Sequence, residues 1–182
     1  VQKGYEVLAF DAPGHGNSDG STLSLPTYVR MLQEITERYG PIKAYIAHSY
    51  GGLAVTHLLE QIPHNDDTRV ILIAPATEMT TAIRHFCSLL RLHGKVKAAF
   101  YRLLAEQGGQ APEYFSVRRA IQHIRAQILW FHDTEDEITP LADVEPVNKE
   151  GHNHVQFVVS TGLGHRKIYR DAGTINRIVQ FL

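Results

Sequence analysis

The sequence predicts an α/β fold, a mostly parallel sheet wrapped by helices, and three features carry that expectation. Short β-rich runs alternate with stretches of helical periodicity along most of the chain, which is the pattern of a parallel sheet with helical crossovers. One run, Arg69–Ala74, is apolar on both faces, as a central strand covered on each side must be. The third feature is a tight turn, Ala47-His48-Ser49-Tyr50-Gly51-Gly52, set between an apolar run and a helical pattern. Strand, sharp turn and helix are what a nucleophilic serine needs to stand clear of a sheet edge.

In chain order, Tyr5–Phe10 reads as the first strand. It is followed by a loop containing Pro13, Gly14, Gly16 and Gly20 that is too irregular to cradle a phosphate. Ser24 has the character of an N-cap with Pro26 in the first turn behind it, and Tyr28, Leu32, Ile35 and Tyr39 recur at helical spacing. Gly40-Pro41 stops that helix, and Ala44–Ala47 forms the strand that enters the serine turn. Small residues on either side of Ser49, Ala47 and Gly51, suit a point where strand and helix nearly touch. The helix that starts after Ser49 aims its N-terminal amides at whatever the hydroxyl attacks.

Beyond Arg69–Ala74 the pattern is helical from about Glu78 to Gln110, with Ile83, Phe86, Cys87 and Leu90, then Val96, Phe100, Leu103 and Leu104. Two helices without an intervening strand interrupt the alternation, so an insertion above the sheet is expected over about 78–116. Ser116–His123 reads as a short helix, Ala126–His132 as a strand, Leu141–Asn148 as a weak helix and Val155–Val159 as the last strand. A terminal helix carries Ile175, Ile178, Val179 and Phe181. The whole of 1–182 is expected to be one domain.

Composition narrows the function classes. The net charge of -1 argues against a general binder of nucleic acid or of anionic membranes, which needs a basic excess. No apolar run approaches the roughly 20 residues of a membrane span. The single cysteine, Cys87, excludes an internal disulfide framework and fits a reducing compartment, so the expected location is the cytoplasm. Eleven histidines are scattered without the spacing of a helical zinc motif, and no metal or organic cofactor is expected. The chain opens at Val1 without a methionine and runs at once into a β-rich stretch, so it reads as a piece of something longer.

Reactive groups of parallel sheets collect at the carboxyl ends of the strands. Ser49, Asp136 and His165 sit there, in that chain order. With these residues the chain resembles the α/β-hydrolase superfamily, of the carboxylesterase, lysophospholipase and serine-aminopeptidase-like type. Asp11-Ala12-Pro13-Gly14-His15-Gly16-Asn17-Ser18 resembles the loop after the family's fourth strand, and 47–52 its nucleophile elbow. His132-Asp133-Thr134-Glu135-Asp136-Glu137-Ile138-Thr139-Pro140 resembles its acid loop, and Gly162-Leu163-Gly164-His165 its histidine loop.

The resemblance implies a serine hydrolase acting on a small-molecule acyl substrate, most simply a carboxylic ester. Ser49 would be the nucleophile, His165 the base and Asp136 the acid, with the Tyr50 backbone N–H as one oxyanion donor. Asp133 is a second carboxylate in the acid loop, but the family's proline spacing, met by Pro140, selects Asp136. Nothing matches the family's first three strands or the His-Gly loop that gives the second oxyanion donor. The chain is thus expected to be an amino-terminally truncated α/β-hydrolase, and the alternative to an active enzyme is a catalytically incomplete fragment or a non-enzymatic α/β-hydrolase-like protein lacking half of the oxyanion hole. A monomer or homodimer is the expected assembly.

Overall fold

The computed structural model describes residues 4–182. Four strands, β1 (Ala44–His48), β2 (Arg69–Ile73), β3 (Gln127–Asp133) and β4 (Val155–Ser160), form one sheet in the order β1-β2-β3-β4. All three pairings are parallel, with Ala44 opposite Arg69, Arg69 opposite Gln127 and Ile128 opposite Val155. Parallel neighbours require crossovers. α2 (Tyr50–Leu59) leads from β1 to β2, and α6 (Glu145–Glu150) lies between β3 and β4.

Alternate residues of β2 and β3 serve two cores. Val70, Leu72, Ile128 and Trp130 pack with Leu25, Val29 and Leu32 of α1 (Leu25–Tyr39) and with Leu53, Leu58 and Leu59 of α2. Ile71, Ile73, Leu129 and Phe131 point the other way and pack with Ile168 and with Ile178 of α8 (Ala172–Phe181). A strand covered on both faces has no polar side to alternate, which is why Arg69–Ile73 reads as a continuous apolar run. Helix starts follow their capping chemistry: the Ser24 hydroxyl accepts from the Thr27 N–H, and Asp171 accepts from the Thr174 N–H.

Between β2 and β3 the chain forms α3 (Met79–Leu89) and α4 (Gly94–Gly108), then α5 (Val117–Ala120). No strand interrupts α3 and α4; only an isolated antiparallel bridge, Glu78 with Ser116, closes the base of the excursion. α3 buries Thr81, Ile83 and Cys87, whereas α4 buries no residue.

One expected element is corrected. Tyr5–Phe10 is not a strand, and its residues lie exposed. A β-rich run becomes a strand only when a neighbour offers a ladder, and no ladder joins this run to β1 or to any other strand among the described residues. β1 is therefore an edge, bonded on one side to β2.

Candidate active site

Ser49, Tyr50, Asp136 and His165 all follow the carboxyl ends of parallel strands. Ser49 follows β1 directly and sits at φ 54, ψ -123, a region that a residue with a Cβ seldom occupies. Three backbone bonds hold it there: its N–H donates to Ile73 O at 3.1 Å, and its carbonyl accepts from the Gly52 N–H at 3.0 Å and the Ala76 N–H at 2.9 Å. The serine turn is thus tied to the end of β2. Its hydroxyl takes no hydrogen-bond partner among the described residues. Tyr50 is the first residue of α2, where a backbone N–H has no carbonyl within the helix to bond.

The close approach that the turn needs falls one residue later than expected. A Cβ on Gly51 would stand 3.4 Å from the Tyr28 hydroxyl and 3.9 Å from the Ala47 Cβ, which is ordinary contact. On Gly52 it would stand 2.6 Å from the Pro75 Cβ. Gly52 is where the helix crosses the chain leaving β2, and Ala47 fits its own position without strain on Gly51.

Asp136 lies in the turn after β3 and is nearly fully buried, with His165 in α7 (Gly164–Lys167), the short helix that follows β4. The His165 Nδ1–H donates to Asp136 Oδ2 at 2.8 Å. The carboxylate is saturated with donors. Oδ1 accepts from the Ile138 N–H at 2.9 Å and the Thr139 N–H at 2.8 Å, and Oδ2 accepts from the Thr139 hydroxyl at 2.9 Å. Burial pushes this carboxyl upward, but the bonds from His165, Thr139 and Ile138 outweigh it and hold it down to about 2. It is an anion at neutral pH, aimed at one imidazole nitrogen.

Asp133, the other carboxylate of this turn, has different company. It accepts from the Ser160 hydroxyl at 2.7 Å, the Leu163 N–H at 3.1 Å and the Glu135 N–H at 3.0 Å. Burial raises it while these bonds lower it further, for a net downward shift. Its partners join the ends of β3 and β4 and so hold the loop that carries His165.

Two further histidines and one threonine brace the site, and the sequence alone did not assign them these contacts. The His48 Nε2–H donates to His165 O at 3.0 Å, and the two rings lie 4.6 Å apart. Because His48 precedes Ser49, this contact joins the serine turn to the histidine loop. Burial is the leading cause of a lowered pKa at His48, which favours the neutral ring. His132, fully buried on β3, donates Nε2–H to Thr139 O at 2.6 Å and fixes the acid turn from beneath. The Thr139 hydroxyl also lies 3.2 Å from His165 Nδ1 and 3.3 Å from Ala74 O, so it touches acid, base and the end of β2 together. A cue existed in the spacing Asp136-x-x-Thr139, which is that of a side chain capping its own turn.

Among the described residues, no group of three or more His, Cys, Asp and Glu is arranged to hold a metal ion. No helix among the described residues is long and apolar enough to cross a membrane. Tyr114 and Phe115 line a cleft of about 330 Å³ with Leu25, Val29 and His57, between α1, α2 and the end of α4. Trp130 is a core residue, packed on Phe157 at a ring distance of 5.2 Å.

Comparison with known proteins agrees with this fold. Solved structures with the same fold include esterase Pf2001 of Pyrococcus furiosus, 19% identical, with a TM-score of 0.69 over 100% of this chain and 70% of that one. Est1E of Butyrivibrio proteoclasticus, solved with ferulic acid bound, is 17% identical, with a TM-score of 0.66 over 94% of this chain and 75% of its own. Alpha/beta hydrolase domain-containing protein 10 from mouse is 16% identical, with a TM-score of 0.63 over 93% and 73%. At these identities the likeness is one of fold. No protein of curated function shows significant sequence similarity to the chain. The profile of one family, "Serine aminopeptidase, S33", matches residues 1–116, which include the serine turn and both helices of the excursion. The chain therefore belongs to this hydrolase family, within the α/β-hydrolase superfamily.

Proposed function

We propose that the chain is a serine hydrolase that cleaves a carboxylic ester, or a related acyl bond, through Ser49, His165 and Asp136. The observation that carries this reading is the 2.8 Å contact of His165 Nδ1 with a carboxylate held ionised, beside a serine kept in a strained turn. A serine hydroxyl is a poor nucleophile unless a base takes its proton. With Nδ1–H committed to Asp136, the neutral imidazole of His165 carries its lone pair on Nε2 and can accept that proton. Catalytic hydrogen bonds to the nucleophile commonly tighten only when substrate is bound.

The Ser49 oxygen adds to the acyl carbon while its proton passes to His165 Nε2. Collapse of the tetrahedral adduct expels the alcohol, which takes the proton from the imidazolium, and leaves an acyl-serine. Water then repeats the sequence and releases the acid. Asp136 stabilises the imidazolium in both halves without itself being protonated. The Tyr50 N–H faces the developing oxyanion, and each such donor is worth on the order of 100- to 1,000-fold in rate. The helical excursion, α3 and α4, acts as a cap over the strand ends and shapes the acyl or alcohol pocket. The esterase Pf2001 among the structural neighbours supports an ester as the substrate.

Turnover of an activated aryl ester tests the assignment. Ser49→Ala is expected to abolish it with the far-UV CD spectrum unchanged. Retention of more than a few per cent of the rate would exclude Ser49 as the nucleophile.

A further inference from the structure

The excursion between β2 and β3 has a surface that its place in a soluble fold does not explain. α4 is a fifteen-residue helix without one buried residue. Leu89 is 80% exposed, and Phe86, Leu90, Val96 and Leu103 are exposed as well. Val96, Phe100 and Leu103 share one face of α4 by helical spacing. Phe100 meets Phe86 of α3 at a ring distance of 5.2 Å, so the apolar faces of the two helices run together.

The charge of this surface is as lopsided as its hydropathy. Residues 79–108 hold Arg84, Arg91, Lys95, Lys97 and Arg102 against a single acid, Glu106 near the end of α4. The remainder of the chain has 13 Lys and Arg against 18 Asp and Glu. The near-neutral total is an average over a basic, apolar excursion and an acidic body, and it does not describe either.

We propose that the α3–α4 surface docks on an anionic lipid bilayer, lying in the headgroup layer with its apolar side chains in the acyl boundary. A helix pair with large apolar side chains among cations is the composition of an interfacial, not a spanning, membrane contact. The cations pair with lipid phosphates, each contributing roughly a fivefold gain in binding, while Leu89, Phe86 and Val96 leave water. A second copy of the chain fits less well, because a twofold contact would set this cationic patch against itself. A nucleic acid would neutralise the cations but leave the aliphatic side chains in water. The proposal does not depend on the chemistry at Ser49.

Flotation of the diluted chain with lipid vesicles on a density gradient tests it, since protein aggregates do not float. The chain is expected to float with phosphatidylcholine vesicles containing about one-quarter phosphatidylglycerol, and to do so less as salt rises. Vesicles of phosphatidylcholine alone should leave it at the bottom. Lys95→Gln with Lys97→Gln should weaken partitioning by about 30-fold, and Leu89→Ser by about tenfold. All three positions lie on the helical excursion outside the buried cores, and unchanged CD spectra would verify the fold. Absence of flotation, or equal flotation of wild type and variants, overturns the proposal. So does a dimer in light scattering that Leu89→Ser dissociates, which would make this face an interface between copies.

Discussion

At Asp136 four donors converge on one buried carboxylate, whereas Asp133, three residues earlier, accepts from groups that only hold the neighbouring loop. The two therefore fail differently. Asp136→Asn should lower turnover of an activated ester by orders of magnitude, since an amide in that place permits the wrong imidazole tautomer. Asp133→Asn should act mainly through stability, by weakening the bonds to Ser160 and Leu163. Greater loss of turnover in folded Asp133→Asn than in folded Asp136→Asn would reverse the roles given to them. At this scale the cues by which the sequence nominates Ser49, Asp136 and His165 are local: a serine between strand and helix, a carboxylate before a proline, a histidine preceded by two glycines. It was silent on His48 and His132, whose partners lie in another loop or seven residues on, at distances that no short motif encodes.

Elements were legible where their own residues specify them. α1 announced itself by cap, proline and periodicity, and β2 by an unbroken apolar run. Tyr5–Phe10 was misread because strand propensity describes fit to a pleated surface and does not supply a neighbour. The helix after the serine is subtler: which glycine is obligatory depends on Pro75, across the turn. Gly52→Ala should destabilise the fold by about 1–3 kcal/mol through overpacking against Pro75. Gly51→Ala should be near neutral, or gain up to about 1 kcal/mol from helix propensity. Urea unfolding of both variants checks this pair, and equal effects would remove the reason given for Gly52.

For the molecule as a whole, the open side of β1 is the feature with the largest consequence. Its outer N–H and C=O groups have no strand beside them among the described residues, Ile46 is 57% exposed, and the apolar residues Tyr5, Val7, Leu8 and Phe10 lie uncovered. An exposed edge of this kind pairs with other chains. The 182-residue chain is expected to associate as its concentration rises, and Ile46→Lys to reduce that association. A monodisperse monomer at high concentration, unfolding cooperatively well above room temperature, would contradict this. Association and catalysis are separable, because the carboxyl ends of all four strands and the contact between the serine turn and His165 are assembled with the edge open.

The most direct test of the hydrolase reading is labelling by a fluorophosphonate, which reacts with a serine only when a base has activated it, followed by mass spectrometry of the digested protein. The expected result is a single adduct on Ser49, lost in Ser49→Ala and much slowed in His165→Ala. No adduct on the folded chain, or an adduct that persists on another residue in Ser49→Ala, would contradict the reading.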